Sequence, residues 1–263
     1  MTASGPSDLP VLSVVIPVRN AKEALESTWL ALRELDPRGS WMEVLVVDGE
    51  SEDGTWAELE AMKREGSGPR LYGWRRPARG VYEAMNWGAA HAQGRWITFL
   101  GAGDVPASDF DWEGWLGDAL PDVSQVFGVD LLPPREPGVP SHYPARWDRS
   151  LWLRHTVHHQ GIWYPANLLP LPPFDAGLRV LGDYDLHLHL FQAGLPAQCH
   201  PKRWARVAPS GISRQFDWAL YREELRIKWR RLPLPIAAAM TPLVAAKWGY
   251  KRWKRRRDFR ATE

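Results

Sequence analysis

At 263 residues the chain allows one large domain or two small ones, long enough to bury a full core without staples. Its 44% hydrophobic, 24% charged and 11% aromatic residues exclude the disordered, collagenous and multi-span membrane classes. The net charge of +2 conceals a split: residues 201–263 hold 17 Lys/Arg against 5 Asp/Glu, so an acidic body of −10 carries a basic end of +12.

In chain order, MTASGPSDLP (1–10) lacks the positive n-region and apolar h-region of a secretory signal, and export is not expected. VLSVVIPV (11–18) is a continuous β-branched run closed by Pro17 and Asn20, the pattern of a strand buried on both faces. A helix is predicted over 21–35, with Ala24, Leu25, Thr28, Leu32 and Leu35 at helical spacing and Asn20 as its cap. WMEVLVV (41–47) is a second buried strand ending in Asp48-Gly49, and 55–64 a second helix. A short strand at 71–74 and a helix at 81–92 follow, then RWITFL (95–100), broken at Gly101-Ala102-Gly103-Asp104. This alternation predicts a Rossmann-like α/β fold, an open and mostly parallel sheet flanked by helices, with ligands beyond the carboxyl ends of the strands. Asn20, Asp48, Asp53 and Asp104 fall at those ends.

The second half is less regular: a strand at 126–132, a Pro-rich loop at 133–140, and a helix over 183–193 (DYDLHLHLFQA) with two carboxylates near its start. A basic amphipathic helix over 221–231 and a basic, Trp-bearing end at 247–260 complete the chain. The longest apolar stretch, 235–246, has twelve residues and an internal Pro242, short of the roughly 20 that a bilayer core requires of a helix.

Asp48 and Asp104 are costly to place together unless positive charge lies between them. A nucleoside diphosphate with a divalent metal supplies both ligand and charge; the alternative for each aspartate is a turn or helix cap. One cysteine, Cys199, leaves no disulfide within the chain and argues against a cysteine-based zinc site. Six histidines, 155, 158, 159, 187, 189 and 200, cluster late in the chain, but His187 and His189 face different ways on a helix and no dedicated zinc site is expected. Among the sixteen tryptophans, residues 87, 112, 115, 152 and 163 are candidates to stack on sugar faces, with core packing the more ordinary role.

SVVIPVRN (13–20), VVDGESEDGT (46–55), GVYEAMNWG (80–88) and GRWITFLGAGD (94–104) stand in the order and spacing of the family 2 glycosyltransferases of GT-A fold. The chain most resembles the bacterial members that build surface polysaccharides. HHQGIWY (158–164), Phe174-Asp175 and GDYDLHL (182–188) resemble that family's acceptor-side and base-bearing region, and SGIS (210–213) its closing motif. The resemblance implies a GT-A domain over 1–215, with a nucleotide-binding half at about 11–104 and an acceptor and base half at about 105–215, and leaves 216–263 as a basic amphipathic extension.

It further implies an inverting transfer of sugar from a nucleoside diphosphate, a UDP-sugar first, to a glycan or polyprenyl-linked acceptor. Pro17, Val18 and Asn20 would frame the base, Asp48 would meet nucleobase or ribose, and Arg79 would pair with a phosphate. Asp104 matches the second aspartate of the family's Asp-x-Asp-like motif and would hold Mn²⁺ or Mg²⁺. Gly103 replaces the first aspartate and Ala78 stands where relatives often have another. Phosphates and water would then complete the metal's shell. Asp183 matches the family's base, with Asp185 two residues on; a helix cap and a solvated first-turn carboxylate are the respective alternatives. His159 and Gln160 match the family's acceptor segment.

The eight Lys/Arg of 247–260, interleaved with Trp248, Trp253 and Phe259, suit anionic phospholipid headgroups. A cytoplasmic protein held peripherally on the inner membrane face is therefore expected. Nucleic acid attracts the same charges, but the acidic body and the lack of any nucleic-acid module disfavour it. A non-catalytic sugar-nucleotide or glycan-binding subunit is the alternative raised by Gly103 and Ala78; Asp104 and Asp183 oppose it, since a binder needs no base.

Overall fold

A computed structural model describes residues 9–77, 79–120, 122–133, 140–208 and 218–260. Ala78, the SGIS segment and most of the Pro-rich loop lie outside the described residues. The first half alternates strand and helix: β1 (Leu12–Val18), α1 (Lys22–Leu35), β2 (Met42–Asp48), α2 (Thr55–Glu65), β3 (Arg70–Arg75), α3 (Val81–His91) and β4 (Trp96–Phe99). The second adds β5 (Val105–Pro106), α4 (Trp112–Asp118), β6 (Ser124–Leu131), β7 (His142–Tyr143), β8 (Ile162–Pro165), α5 (Gly182–Gln192), β9 (Ala197–Val207), α6 (Trp218–Arg231) and α7 (Leu234–Arg260). Two 3-10 turns, Arg149–Trp152 and His159–Gly161, precede β8.

These strands form one sheet in the order β3-β2-β1-β4-β8-β6-β9-β5, with β7 paired to β6. The parallel arrangement expected from the sequence holds over β3-β2-β1-β4. Beyond β4 the sheet is mixed. β8 runs antiparallel to both β4 and β6, because a 3-10 turn and not a crossover helix leads into it. β9 is parallel to β6, and β5 antiparallel to β9.

Alternation along β1 sends Leu12, Val14 and Ile16 to one face and Val15 to the other, and each face has its own core. The first is an aromatic block in which Trp163 lies 4.5 Å from Trp115 and 4.7 Å from Trp204. Trp115 and Trp163 are thus core residues, and Trp112 stacks on Trp41 at 4.9 Å. Trp87 instead lies under the Arg76 guanidinium, 3.7 Å from its carbon, and Trp152 is partly buried at the second core.

α6 packs into the second core. Ile227 is fully buried there, and Lys228 donates to the carbonyls of Trp152 and Leu153 and to the Tyr184 hydroxyl. α7 continues from the apolar stretch into the basic end as one helix with Pro242 inside it, and no helix among the described residues is long and apolar enough to cross a membrane. Lys247 pairs with Glu224 of α6 at 3.0 Å, Trp248 packs on Trp218, and Tyr250 and Trp253 are exposed. The side chains of 254–260, Phe259 among them, lie outside the described residues.

His187, fully buried on α5, has Nε2 2.6 Å from the Tyr164 hydroxyl and Nδ1 3.3 Å from His155 Nε2. Burial pushes its imidazole from the ordinary 6.5 down to about 3. The folded chain therefore stays unprotonated at His187 while the unfolded chain takes up a proton, so stability is present above pH 6.5 and is lost as pH falls toward about 3. The loss is about 1.4 kcal/mol per pH unit for this one proton. Denaturant titrations between pH 6 and 4.5 should show a shallower pH slope for His187→Gln than for the wild type, and equal slopes would contradict the assignment.

Candidate active site

The carboxyl ends of β1, β2 and β4 carry the polar residues singled out by the sequence, and their loops are knitted to one another. Asn20 adopts φ +49° and turns its Oδ1 to accept from the Glu52 N–H, 2.9 Å away, so it does not cap α1 as expected. The start of α1 is instead capped from the β2–α2 loop: Ala21 N–H donates to Thr55 Oγ1 and Lys22 N–H to Asp53 Oδ2, each at 3.1 Å. Pro17 and Val18 pair in register with Val47 and Asp48, placing the end of β1 beside the Asp48 loop. Asp48 is fully buried and accepts from the backbone N–H and the hydroxyl of Ser51, with Arg75 Nε 3.6 Å away. Arg79 is exposed in the segment before α3.

Asp104 is also buried, and its bonds close its own turn and tie that turn to two distant segments. Oδ1 accepts from the Ala208 N–H just past β9 at 2.8 Å; Oδ2 accepts from the Gly101 N–H at 2.8 Å and from Gln160 Nε2 at 3.0 Å. Burial raises its pKa, and these bonds oppose the rise. Gly103 adopts φ +94°, its N–H reaches Thr28 Oγ1 at 2.8 Å, and a β-carbon there would stand 3.1 Å from that of Ala208. Glycine at the family's first-aspartate position is thus dictated by the backbone.

At the start of α5, Gly182 lies against the Tyr82 ring, where a β-carbon would come within 2.8 Å. The Tyr82 hydroxyl accepts from the Gly182 N–H, and Glu223 of α6 accepts from the backbone of 179–181. Asp183 follows, buried. Its Oδ1 accepts from its neighbour Tyr184's N–H at 2.8 Å and its Oδ2 from His159 Nδ1 at 3.0 Å, with His155 Nε2 3.6 Å off. The N-cap position belongs to Leu181, so Asp183 is not the cap. Burial works to raise the Asp183 value, but the adjoining His155 and the His159 hydrogen bond hold the carboxyl well below the usual range. Asp185, expected either as a second base or as a solvated carboxylate, is neither free nor solvated: Arg231 grips it through two bonds and Arg230 through a third.

One 3-10 turn therefore holds both carboxylates: His159 takes Asp183 and Gln160 takes Asp104. Gln160 Oε1 is buried with no hydrogen-bond partner, an oxygen that can accept from a ligand. Among the described residues no group of three or more His, Cys, Asp and Glu could hold a metal, so Asp104 is the one carboxylate its turn offers. A hard divalent cation suits that oxygen donor, provided that diphosphate and water supply its other ligands. Sequence reasoning missed His155, Tyr82 and Glu223, which shape the Asp183 centre; only His155 had a signal, its place in the histidine cluster.

Residues 13–120 match the model of glycosyl transferase family 2. Curated relatives include "PGL/p-HBAD biosynthesis glycosyltransferase" of Mycobacterium bovis and of Mycobacterium tuberculosis, each 29% identical over 196 residues, covering 69% of this chain and 70% of theirs. Among solved structures, S. aureus TarS 1-349 with UDP-GlcNAc aligns with TM-score 0.65 at 17% identity, covering 82% of this chain and 65% of that one. The mannosyltransferase PcManGT of Pyrobaculum calidifontis, with GDP-Man and Mn²⁺, aligns with TM-score 0.60 at 19% identity, covering 91% and 76%. The chain spans just under two thirds of the TarS structure. The strand and helix order and the solved structures give this chain the GT-A fold, and over residues 13–120 it is similar to glycosyl transferase family 2, as it is to the curated glycosyltransferases.

Proposed function

We propose that this glycosyltransferase passes a sugar from a nucleoside diphosphate to a glycan or lipid-linked acceptor with inversion. The observation that carries the reading is the turn His159–Gly161, which ties a carboxylate at the end of the nucleotide-side sheet to one at the start of α5. That arrangement suits donor and acceptor chemistry on opposite sides of one turn. Similar folds hold UDP-GlcNAc, or GDP-Man with Mn²⁺, and a UDP-sugar is the first donor to try.

In this reading Pro17, Val18, Asn20 and Asp48 line the base and ribose, and Arg79 reaches a phosphate. Asp104 holds Mn²⁺ or Mg²⁺, which when bound neutralises the leaving diphosphate. Proton removal from the acceptor falls to the Asp183 centre, and Asp185, held by Arg230 and Arg231, keeps α5 in place against α6. Residues 247–260 hold the protein to anionic lipid on the cytoplasmic face of the membrane. The binding-subunit alternative lacks support from the site, because a pure binder gains nothing from a buried, histidine-held carboxylate beside the donor end.

A panel of nucleotide sugars with Mn²⁺ or Mg²⁺ should show turnover, and none with any donor would favour the binder. Calorimetry should find UDP bound more tightly with Mn²⁺ than without, and Asp104→Asn should abolish the difference; a difference that survives would remove Asp104 from the metal. Asp183→Asn should cut transfer by about 10² or more while leaving UDP affinity unchanged, and a loss of UDP binding would move Asp183 to the donor side.

Truncation after Gly249 preserves the Lys247–Glu224 and Trp248–Trp218 contacts and removes the remaining basic residues. Each basic group near an anionic bilayer contributes about 1 kcal/mol before screening. The full chain should co-sediment with anionic vesicles in a salt-sensitive way, and the truncated chain should not. Equal binding to neutral vesicles would exclude the electrostatic attachment.

A further inference from the structure

The Lys228 side chain on α6 is 0% exposed, and its ammonium has three hydrogens to donate. Each has an acceptor. Nζ lies 2.7 Å from the Trp152 carbonyl, 3.1 Å from that of Leu153 and 3.0 Å from the Tyr184 hydroxyl, which in turn donates to the Leu151 carbonyl at 2.7 Å. Three consecutive carbonyls at the end of the Arg149–Trp152 turn, the groups that a helical turn leaves without donors, are therefore held from α5 and α6.

Packing alone does not ask for a charge here. Methionine has nearly the same length and would fill the space without desolvation, whereas a buried ammonium is unfavourable until its partners offset the loss of water. Glu224, one turn earlier on α6, brings a carboxylate oxygen to 3.6 Å. The ammonium adds direction, because it bonds only where the three oxygens converge. Those oxygens flank the Asp183 centre. Tyr184 is the neighbour of Asp183, and two residues beyond Leu153 the chain reaches His155, whose Nε2 lies 3.6 Å from Asp183 Oδ2. Past Trp152 the chain forms neither helix nor strand until His159, and Leu153 and Arg154 are exposed, so this segment has little packing of its own to fix it across the start of α5.

Resting on the glycosyl-transfer reading, we infer that Lys228 is a positioning residue for the Asp183 centre: its ammonium ties segment 151–155 to Tyr184 and so sets where His155 stands against the carboxylate. Asp183 remains the proton acceptor. Lys228 acts on it through the backbone of 152 and 153 and through the Tyr184 hydroxyl, while the His159 contact is made separately by the turn before β8. All these partners lie at the start of α5, in 151–153 and on α6, so the donor end of the sheet should not feel the loss of the ammonium.

Lys228→Met keeps the length of the side chain and removes its donors. Turnover of whichever nucleotide sugar the wild type uses should fall by about 10-fold or more, as small misplacements at a reacting centre do, with UDP affinity by calorimetry unchanged. Turnover within two-fold of the wild type would overturn the inference, and a parallel loss of UDP binding would reduce Lys228 to a general structural role. Limited trypsin digestion gives a readout independent of turnover, because Arg154 is exposed within the clamped segment. Cleavage after Arg154 should be about 10-fold faster in the variant while other sites keep their rates; an unchanged rate there overturns the clamp. Tyr184→Phe keeps the buried ring and deletes only the hydroxyl, so it tests the same link should Lys228→Met fail to fold. It should shift both rates in the same direction, and no shift in either would count against the inference. Should the wild type turn over no nucleotide sugar, the functional reading fails while cleavage after Arg154 still decides the clamp.

Discussion

Burying two carboxylates within reach of one short turn is the constraint around which the molecule is organised. A carboxylate removed from water costs several kcal/mol unless its oxygens find donors or partners. Asp104 meets that cost with two backbone N–H groups and the Gln160 amide, Asp183 with one N–H group and the His159 imidazole. The donors come from β9, from the turn after β4 and from the segment entering β8, which fixes where those segments can lie. Antiparallel insertion of β8 between β4 and β6 follows the same logic, since it delivers the His159–Gly161 turn to the edge of the parallel half.

The helix bearing Asp183 has little freedom of its own, and α6 is what holds it. Glu223 accepts from the backbone of 179–181, Arg230 and Arg231 neutralise Asp185, and Lys228 reaches Tyr184 as well as the carbonyls of Trp152 and Leu153. Lys228 also carries its charge beside Glu224, whose other oxygen holds Lys247 of α7. A line of charged contacts therefore runs from the basic end of the chain to the residue that follows Asp183. The sequence presents α6 as an amphipathic basic helix; in three dimensions Lys228, Arg230 and Arg231 are engaged by α5 and its flanking segments, while Arg222 and Arg226 are exposed.

The parallel half was legible because its strands are continuous apolar runs and its loops carry Asn, Asp and Gly. The strands from 12 to 99 fall within a residue of the predicted runs, and Asn20, Asp48 and Asp53 share one set of loop hydrogen bonds at the ends of β1 and β2. β9 was missed because only Trp204 and Ala205 are buried, so the segment reads as basic and irregular. β8 is a four-residue strand buried on both faces, too short to display a period. The Asn20 cap failed for a different reason: a left-handed backbone turned its side chain toward Glu52, and the cap came from residues more than thirty positions away. Local pattern carries no information about such a partner.

Gly103 shows how a departure from a family pattern can be structural before it is functional. An aspartate there would need φ near +94° and room against Ala208, and the backbone N–H at that position already fastens the turn to Thr28 of α1. The turn is therefore closed around Asp104 by bonds that the glycine makes possible. On the proposed reading, a cation at Asp104 would take most of its ligands from the substrate, so that metal binding and donor binding would be one coupled event. A site built this way would have no reason to keep an ion between turnovers, because the buried donors around it, the Gly101 and Ala208 N–H groups and the Gln160 amide, are already committed to the Asp104 carboxylate.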